Sequence, residues 1–425
     1  MARVCGLSAD RLLLDALTSA HTFAKPTLTW RFTGFPIGWG HLLGAQGRAF
    51  VNADGVEYSI ADIEVLEGPE AIRKRPGMWV GSVGERGLHR AVFEVVGRAV
   101  NAVLARGAGS VDVTLTPDGG VRVVDDGAAV PFEADNSPGL DAQLTSLQPA
   151  SGPCGRGLAL LGPFALGPFV TNALSSRLTA EVRYGGRRHV REYVRGVPVG
   201  APVTVGPAAH DGTTIVFRPD AGIFETTACS FAVLAERFRQ VAFLNRELVI
   251  SLTDERPADG PRVVRFRFPD GVRDFVAALE VEAGAGLGPD VIGFEREDPR
   301  MAGAMEVALA WGGLSGVRVR GFVNSRRTPE GGTHVDGFRD GVTAAIISYA
   351  PGLAPSRVDE SLTAVVSVKL AQPEFLGATR GLLGNTEVRV CVAEAVREHL
   401  CAWFEAHPER AAEVIRRIGR GGEPD

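Results

Sequence analysis

The chain has 425 residues, 45% of them hydrophobic, and a formal net charge of −5. That length and apolar content suffice for two or three packed domains. The negative balance argues against a protein whose main task is gripping nucleic acid, so direct DNA binding is expected to be weak or absent. Five cysteines, an odd number with no CxxC pair, exclude a disulfide framework or a zinc site and fit a reduced cytoplasm. Lysine occurs only at 25, 74 and 369. Arginine carries the rest of the positive charge, which, with so much Ala, Gly and Val, reads as the coding bias of a GC-rich genome rather than as chemistry.

Residues 1–50 hold no signal-peptide pattern and no apolar run of about 18 residues that would span a membrane. Trp30, Phe32, Phe35, Trp39 and Phe50 make the segment aromatic for a disordered arm. Two readings stand level: a segment that docks on a partner or on the body of the protein, or a start codon set too far upstream, with the true start at a non-ATG codon such as Val51 or Val56.

Over residues 87–109, Leu88, Val92, Val95, Val96, Ala99, Val100 and Val103 recur every three or four positions, which predicts an amphipathic helix. Glu94, Arg98 and Asn101 share its other face at i, i+4 and i+7. The β-rich run Val121 to Val124 follows and ends in Asp125-Asp126-Gly127, an acid at a strand mouth before a glycine turn, a common way of aiming a carboxylate into a pocket. Strands are predicted at 111–116, 178–184 and 213–219, with a glycine-rich stretch at 152–167. A second α/β run begins near Phe224: a helix over 230–244, strands at 247–254, 305–311 and 317–324, a helix over 334–348, a strand over 362–370 and a helix over 386–406. A charged tail closes the chain.

From Tyr58 to about residue 406 these segments resemble, in order and spacing, the ATP-binding GHKL-type domain and transducer of the B subunit of bacterial DNA gyrase. The likeness is carried by YSIADIEVLEGPEAIRKRPGMWVGS, GLHRAVFEVV, VVDDG, REYVRGVP, DGTTIVFRPDAGIFETT, AFLNRELVISLTDERP, GGTHVDGFRDG and AVVSVKL. It implies an α/β (α+β) fold: a GHKL/Bergerat-type α/β sandwich over 51–222, then a smaller transducer of left-handed βαβ type over 223–406. Residues 1–50 are left as an unassigned extension and 407–425 as the tail. The cleavage domain that follows in the family is not in this sequence, so the chain alone is not expected to cut DNA.

The resemblance also assigns roles. Glu94 matches the general base, Asp125 the acceptor of the adenine amine, and Thr213 the threonine beside it. Tyr58 matches the arm tyrosine that reaches a partner's site, and Gly127 and Gly167 fall at nucleotide-binding positions. Against these stand specific losses. Arg98 replaces the asparagine that carries Mg²⁺, and a guanidinium has no acceptor atom with which to ligate a metal. It is expected either to pair with Glu94 one turn away or to fill the ion's place. The family's DDGRGIP reads DDGAAVP, with Ala129 for a glycine. Its phosphate-cradling GLHGVG reads PFALG, where Pro163, Phe164 and Ala165 remove a donor, add bulk and stiffen the loop. The Gln-Thr-Lys loop reads Ala378-Thr379-Arg380, and Val190 replaces a pocket arginine.

The losses gather on phosphate and metal, so ATP is expected to bind weakly or not at all and Mg²⁺ not to bind. Two functions remain open. One is a gyrase-B-like accessory, regulatory or inhibitor-protection protein that pairs with itself or with gyrase subunits. The other is an old nucleotide pocket recruited as a small-molecule enzyme of secondary metabolism, an isomerase or cyclase type, with Glu94 as acid or base and Arg98, Asp125 and Arg380 orienting an organic substrate.

Overall fold

The computed structural model describes residues 50–51, 57–58, 67–134, 138–147, 159–161, 166–284, 291–312, 318–358, 361–377 and 379–420. Residues 1–49, most of the 152–167 stretch with Pro163, Phe164 and Ala165, Ala378 and the last five residues lie outside these. The chain divides into two units, Met1–Val65 and Leu66–Asp425. In the first, Phe50–Val51 pairs antiparallel with Glu57–Tyr58, Tyr58 opposite Phe50.

The second unit holds a nine-stranded sheet. Across it run Arg262–Phe266, Leu248–Asp254, Gly109–Leu115, Val121–Asp125, Gly212–Pro219, Ser175–Tyr184, Arg187–Val194 and Val197–Pro198, with Val203–Pro207 also paired to Arg187–Val194. Every pairing is antiparallel except that of Leu248–Asp254 with Gly109–Leu115. The Glu85–Arg106 helix packs on the central strands. Its Leu88, Val92, Val95, Val96, Ala99, Val100 and Val103 are all buried, as their spacing predicts. Along Val121–Asp125, Val121, Val123 and Asp125 are buried and the two residues between them are not. Period-two alternation therefore sets the Asp125 carboxylate on the same side as two core valines.

Residues 223–266, which the sequence pattern groups with the second domain, join this first core. The Phe231–Phe243 helix contributes Phe231, Leu234, Phe238 and Val241, and the strand after it Leu248, Ile250 and Leu252.

A five-stranded sheet follows, ordered Ile292–Asp298, Gly303–Trp311, Leu362–Leu370, Arg318–Val323, Arg326–Arg327. Arg318–Val323 and Leu362–Leu370 run parallel, with the Thr333–Tyr349 helix between them in sequence. Eight of the nine residues of Leu362–Leu370 are buried, as a strand covered on both faces requires. The Thr333–Tyr349 and Thr386–Ala406 helices share one hydrophobic core with this sheet. The Val272–Glu282 helix covers other residues of it, through Phe275, Val276 and Leu279 against Ala308, Ala310 and Phe322. Much of the expected tail is a helix, Pro408–Arg420. It buries Ala411 and Ile418 in the same core, and Arg417 donates to the Trp311 carbonyl at 2.9 Å. No helix among the described residues is long and apolar enough to cross a membrane.

Candidate functional site

The site lies where the Glu85–Arg106 helix crosses the ends of two central strands. Asp125 and Thr213 stand directly opposite each other in the antiparallel pair Val121–Asp125 and Gly212–Pro219. That register brings together an acid and a hydroxyl 88 residues apart, and both are buried. Into the gap reaches Arg98. One guanidinium nitrogen donates to Asp125 Oδ2 at 2.6 Å and another to Thr213 Oγ1 at 2.9 Å. The Arg98 and Asp125 side chains are 7% and 2% exposed, so this is a buried ion pair.

This corrects one expectation: Arg98 does not pair with Glu94. The reason is the need of the deeper acid. A carboxylate removed from water requires a counter-charge and donors, and the planar guanidinium can serve a carboxylate and a hydroxyl at once. Burial pushes the Asp125 carboxyl up; Arg98, the Gly127 amide and Arg183 act against that shift. Gly127 N–H donates to Asp125 Oδ1 at 3.2 Å.

Glu94 is satisfied differently. Its Oε2 accepts the Gly167 N–H at 2.8 Å, just ahead of the Pro168–Ala173 helix. Burial pushes its pKa up to about 7, with the Gly167 and Leu166 amides and the charge of Arg326 holding it back. Asn101, a turn below Arg98, pins the chain at 159: its Oδ1 accepts the Ala159 N–H at 2.6 Å and its Nδ2 donates to the Ala159 carbonyl at 3.2 Å.

The glycine turn is built against the helix. A Cβ on Gly127 would lie 2.4 Å from the Ala102 carbonyl carbon, and Ala128 N–H donates to the Ala102 carbonyl at 2.9 Å. Ala129 packs against the core. Gly167 has φ 77°, the left-handed region that suits glycine. Arg380 is exposed, with φ 52°, and among the described residues its guanidinium meets no carboxylate. Tyr58 belongs to the other unit, and Val190 lies mid-strand opposite Glu181 and Val203.

Three arginines at the site are not singled out by their sequence context. Arg183 donates to the Asp125 carbonyl at 3.0 Å and to Thr214 Oγ1 at 2.8 Å, bracing the acid's strand from the next strand but one. Arg237 donates to the carbonyls of Leu160, Leu161 and Ser325 at 3.1–3.4 Å. Its one visible signal is its place next to apolar Phe238 and three residues after Leu234 in an amphipathic helix. Arg326 donates to the Thr379 carbonyl at 2.9 Å and lies 5.3 Å from the Phe375 ring centroid. It thereby ties the hairpin of the second sheet to the loop that carries Arg380. Among the described residues no three His, Cys, Asp or Glu side chains gather as a metal site.

This fold is a mixed α/β sandwich of the GHKL ATPase class followed by a second α/β unit. It superposes on the 43K ATPase domain of Thermus thermophilus gyrase B, solved in complex with an aminocoumarin, with a TM-score of 0.72 and 28% identity, covering 83% of this chain and 94% of that one. The DNA gyrase B protein of Myxococcus xanthus gives 0.71 and 27%, covering 82% and 99%. Residues 271–421 match the family model for DNA gyrase B. The DNA gyrase B protein of Streptomyces coelicolor is 41% identical over 389 residues, 85% of this chain and 57% of that protein. The novobiocin-resistant gyrase B of Streptomyces niveus is 38% identical over 387 residues, again 85% and 57%. The chain belongs to the DNA gyrase B family and matches its ATPase and transducer region. It spans a little under three fifths of the length of these curated relatives.

Proposed function

We propose that this protein is a gyrase-B-like accessory or regulatory protein that has given up ATP as its driver. The observation that carries this reading is the Arg98 guanidinium on Asp125 and Thr213. Asp125 Oδ2 is bonded to a buried cation, and an adenine amine would have to displace that charged partner to reach it. Arg98 also has no atom to offer Mg²⁺. At the other end, Glu94 accepts a hydrogen bond from the chain's own Gly167 amide. The residues present do not fit Mg·ATP.

In this role the protein pairs with itself or with gyrase subunits without a nucleotide signal, or shields gyrase from ligands of its ATP site. The test is calorimetry of the full chain with Mg·ATP and with novobiocin, beside a phosphate-release assay. We expect no sub-millimolar binding of ATP and no turnover. Sub-millimolar ATP binding with turnover abolished in Glu94→Gln would overturn the reading.

One observation favours the second function, a recruited small-molecule enzyme. A buried carboxyl near pH 7, such as Glu94, is poised to give or take a proton. Arg98 and Asp125, however, are bound to each other and leave little to orient a substrate. Loss of a cellular phenotype in Glu94→Gln, with the protein still folded and abundant, would favour the enzyme.

A further inference from the structure

A second cluster of arginines lies on the five-stranded sheet. Arg318, Arg320 and Phe322 fall on one face of the Arg318–Val323 strand by alternation. Arg327 of the adjoining strand stands opposite Phe322. This is the face covered by the Val272–Glu282 helix, where Phe322 packs with Phe275 and Leu279. Apolar residues would be expected at 318 and 320 on such a face, and arginines occupy both. With the last turn of the helix, which brings apolar Leu279, they line a cleft of about 490 Å³.

Glu282 and Glu236 act on Arg320 from a distance without pairing with it. Among the described residues none of the three arginines has a carboxylate within ion-pair distance, and Glu282 at the rim is held by Arg239 at 2.7 Å. The helix C-terminus contributes only about half a negative charge. Arg320 lies 5.7 Å from the Phe275 ring centroid. Burial, and then the like charge of Arg327, hold Arg320 below the ordinary arginine range, with Glu282 and Glu236 acting against that shift.

We infer that this cleft binds the phosphate group of a small phosphorylated molecule. Guanidinium forks match phosphate oxygens in geometry as well as charge, and the apolar wall suits an organic body beside the phosphate. Inorganic pyrophosphate is the probe, titrated into the full chain by calorimetry at low salt with chelator present. We expect one site with Kd below about 1 mM. Arg327→Gln, at an exposed position, and Arg320→Gln should each weaken it at least about tenfold, with melting temperatures recorded beside them. Arg327→Gln keeps the test decisive if Arg320→Gln fails to fold.

Arg380→Ala, at an exposed position outside the cleft, should leave pyrophosphate affinity unchanged. No binding, binding insensitive to Arg327→Gln, or binding lost in Arg380→Ala would each overturn the inference. So would tight binding of a short DNA duplex with none of pyrophosphate, which would make the face a nucleic-acid contact. None of these outcomes bears on whether Arg98 blocks ATP.

Discussion

Arg98 and Asp125 form a buried ion pair at 2.6 Å that joins the longest helix of the described fold to the mouth of a central strand. Removing one partner of such a pair leaves an uncompensated charge and costs about 3–5 kcal/mol. Arg98→Ala should therefore be strongly destabilising in urea at pH 7. Asp125→Asn added to it should recover much of the loss, because the stranded carboxylate is then gone. Additive effects of the two substitutions would mean that the pair is not formed in solution.

Glu94 gives a pH signature. Its folded pKa is raised from 4.5 to about 7 by burial. The folded state therefore holds a proton that the unfolded chain releases near pH 4.5. The stability from this group is fully present below pH 4.5 and is lost as pH rises through 7. Glu94→Gln removes the titration, so between pH 4.5 and 8 wild type should lose about 3 kcal/mol relative to the variant. A gap that stays constant across that range would show that Glu94 titrates normally.

His334 should act with the opposite sign. It is fully buried, its Nε2 lies 3.0 Å from Thr328 Oγ1, and its Nδ1 has no hydrogen-bond partner among the described residues. Burial lowers its pKa from 6.5 to about 4. Its contribution to stability is full above pH 6.5 and falls away as pH drops toward 4, by about 3 kcal/mol at most. His334→Gln should flatten that acid limb whatever its effect at neutral pH. Chemical denaturation at pH 4.5, 5.5 and 7 reads the difference in slope.

Gly127→Ala tests how closely the Asp125 turn is built onto the helix. The new methyl would meet backbone of Ala102 and Val103 at 2.4–2.5 Å, and backbone cannot swing aside as a flexible side chain can. A loss of about 1–3 kcal/mol is expected. At Gly107 an added Cβ would find nothing within 4 Å, but φ is 104°, so Ala there should act through backbone strain alone. Gly127 has no positive φ, so an unchanged stability in Gly127→Ala would show that the turn is not built tightly onto the helix.

The elements themselves were legible in the residues. Three- and four-residue spacing of valines determines the Glu85–Arg106 helix and puts Glu94, Arg98 and Asn101 within reach of one side of it. Alternation determines that Asp125 faces inward with Val121 and Val123. These are local properties, set by the 3.6- and 2-residue repeats of the backbone. The partner of Arg98 was not local. It follows from the register that sets Thr213 opposite Asp125 across two strands far apart in sequence, and from how deeply the helix presses that acid. An i, i+4 rule sees only Glu94. For the same reason the sequence could not say that residues 223–266 would join the first core, that the charged end would bury Ala411 and Ile418, or that Arg318, Arg320 and Arg327 would meet around one cleft. Which charges stand together, and how much water is left between them, is decided only when distant segments pack.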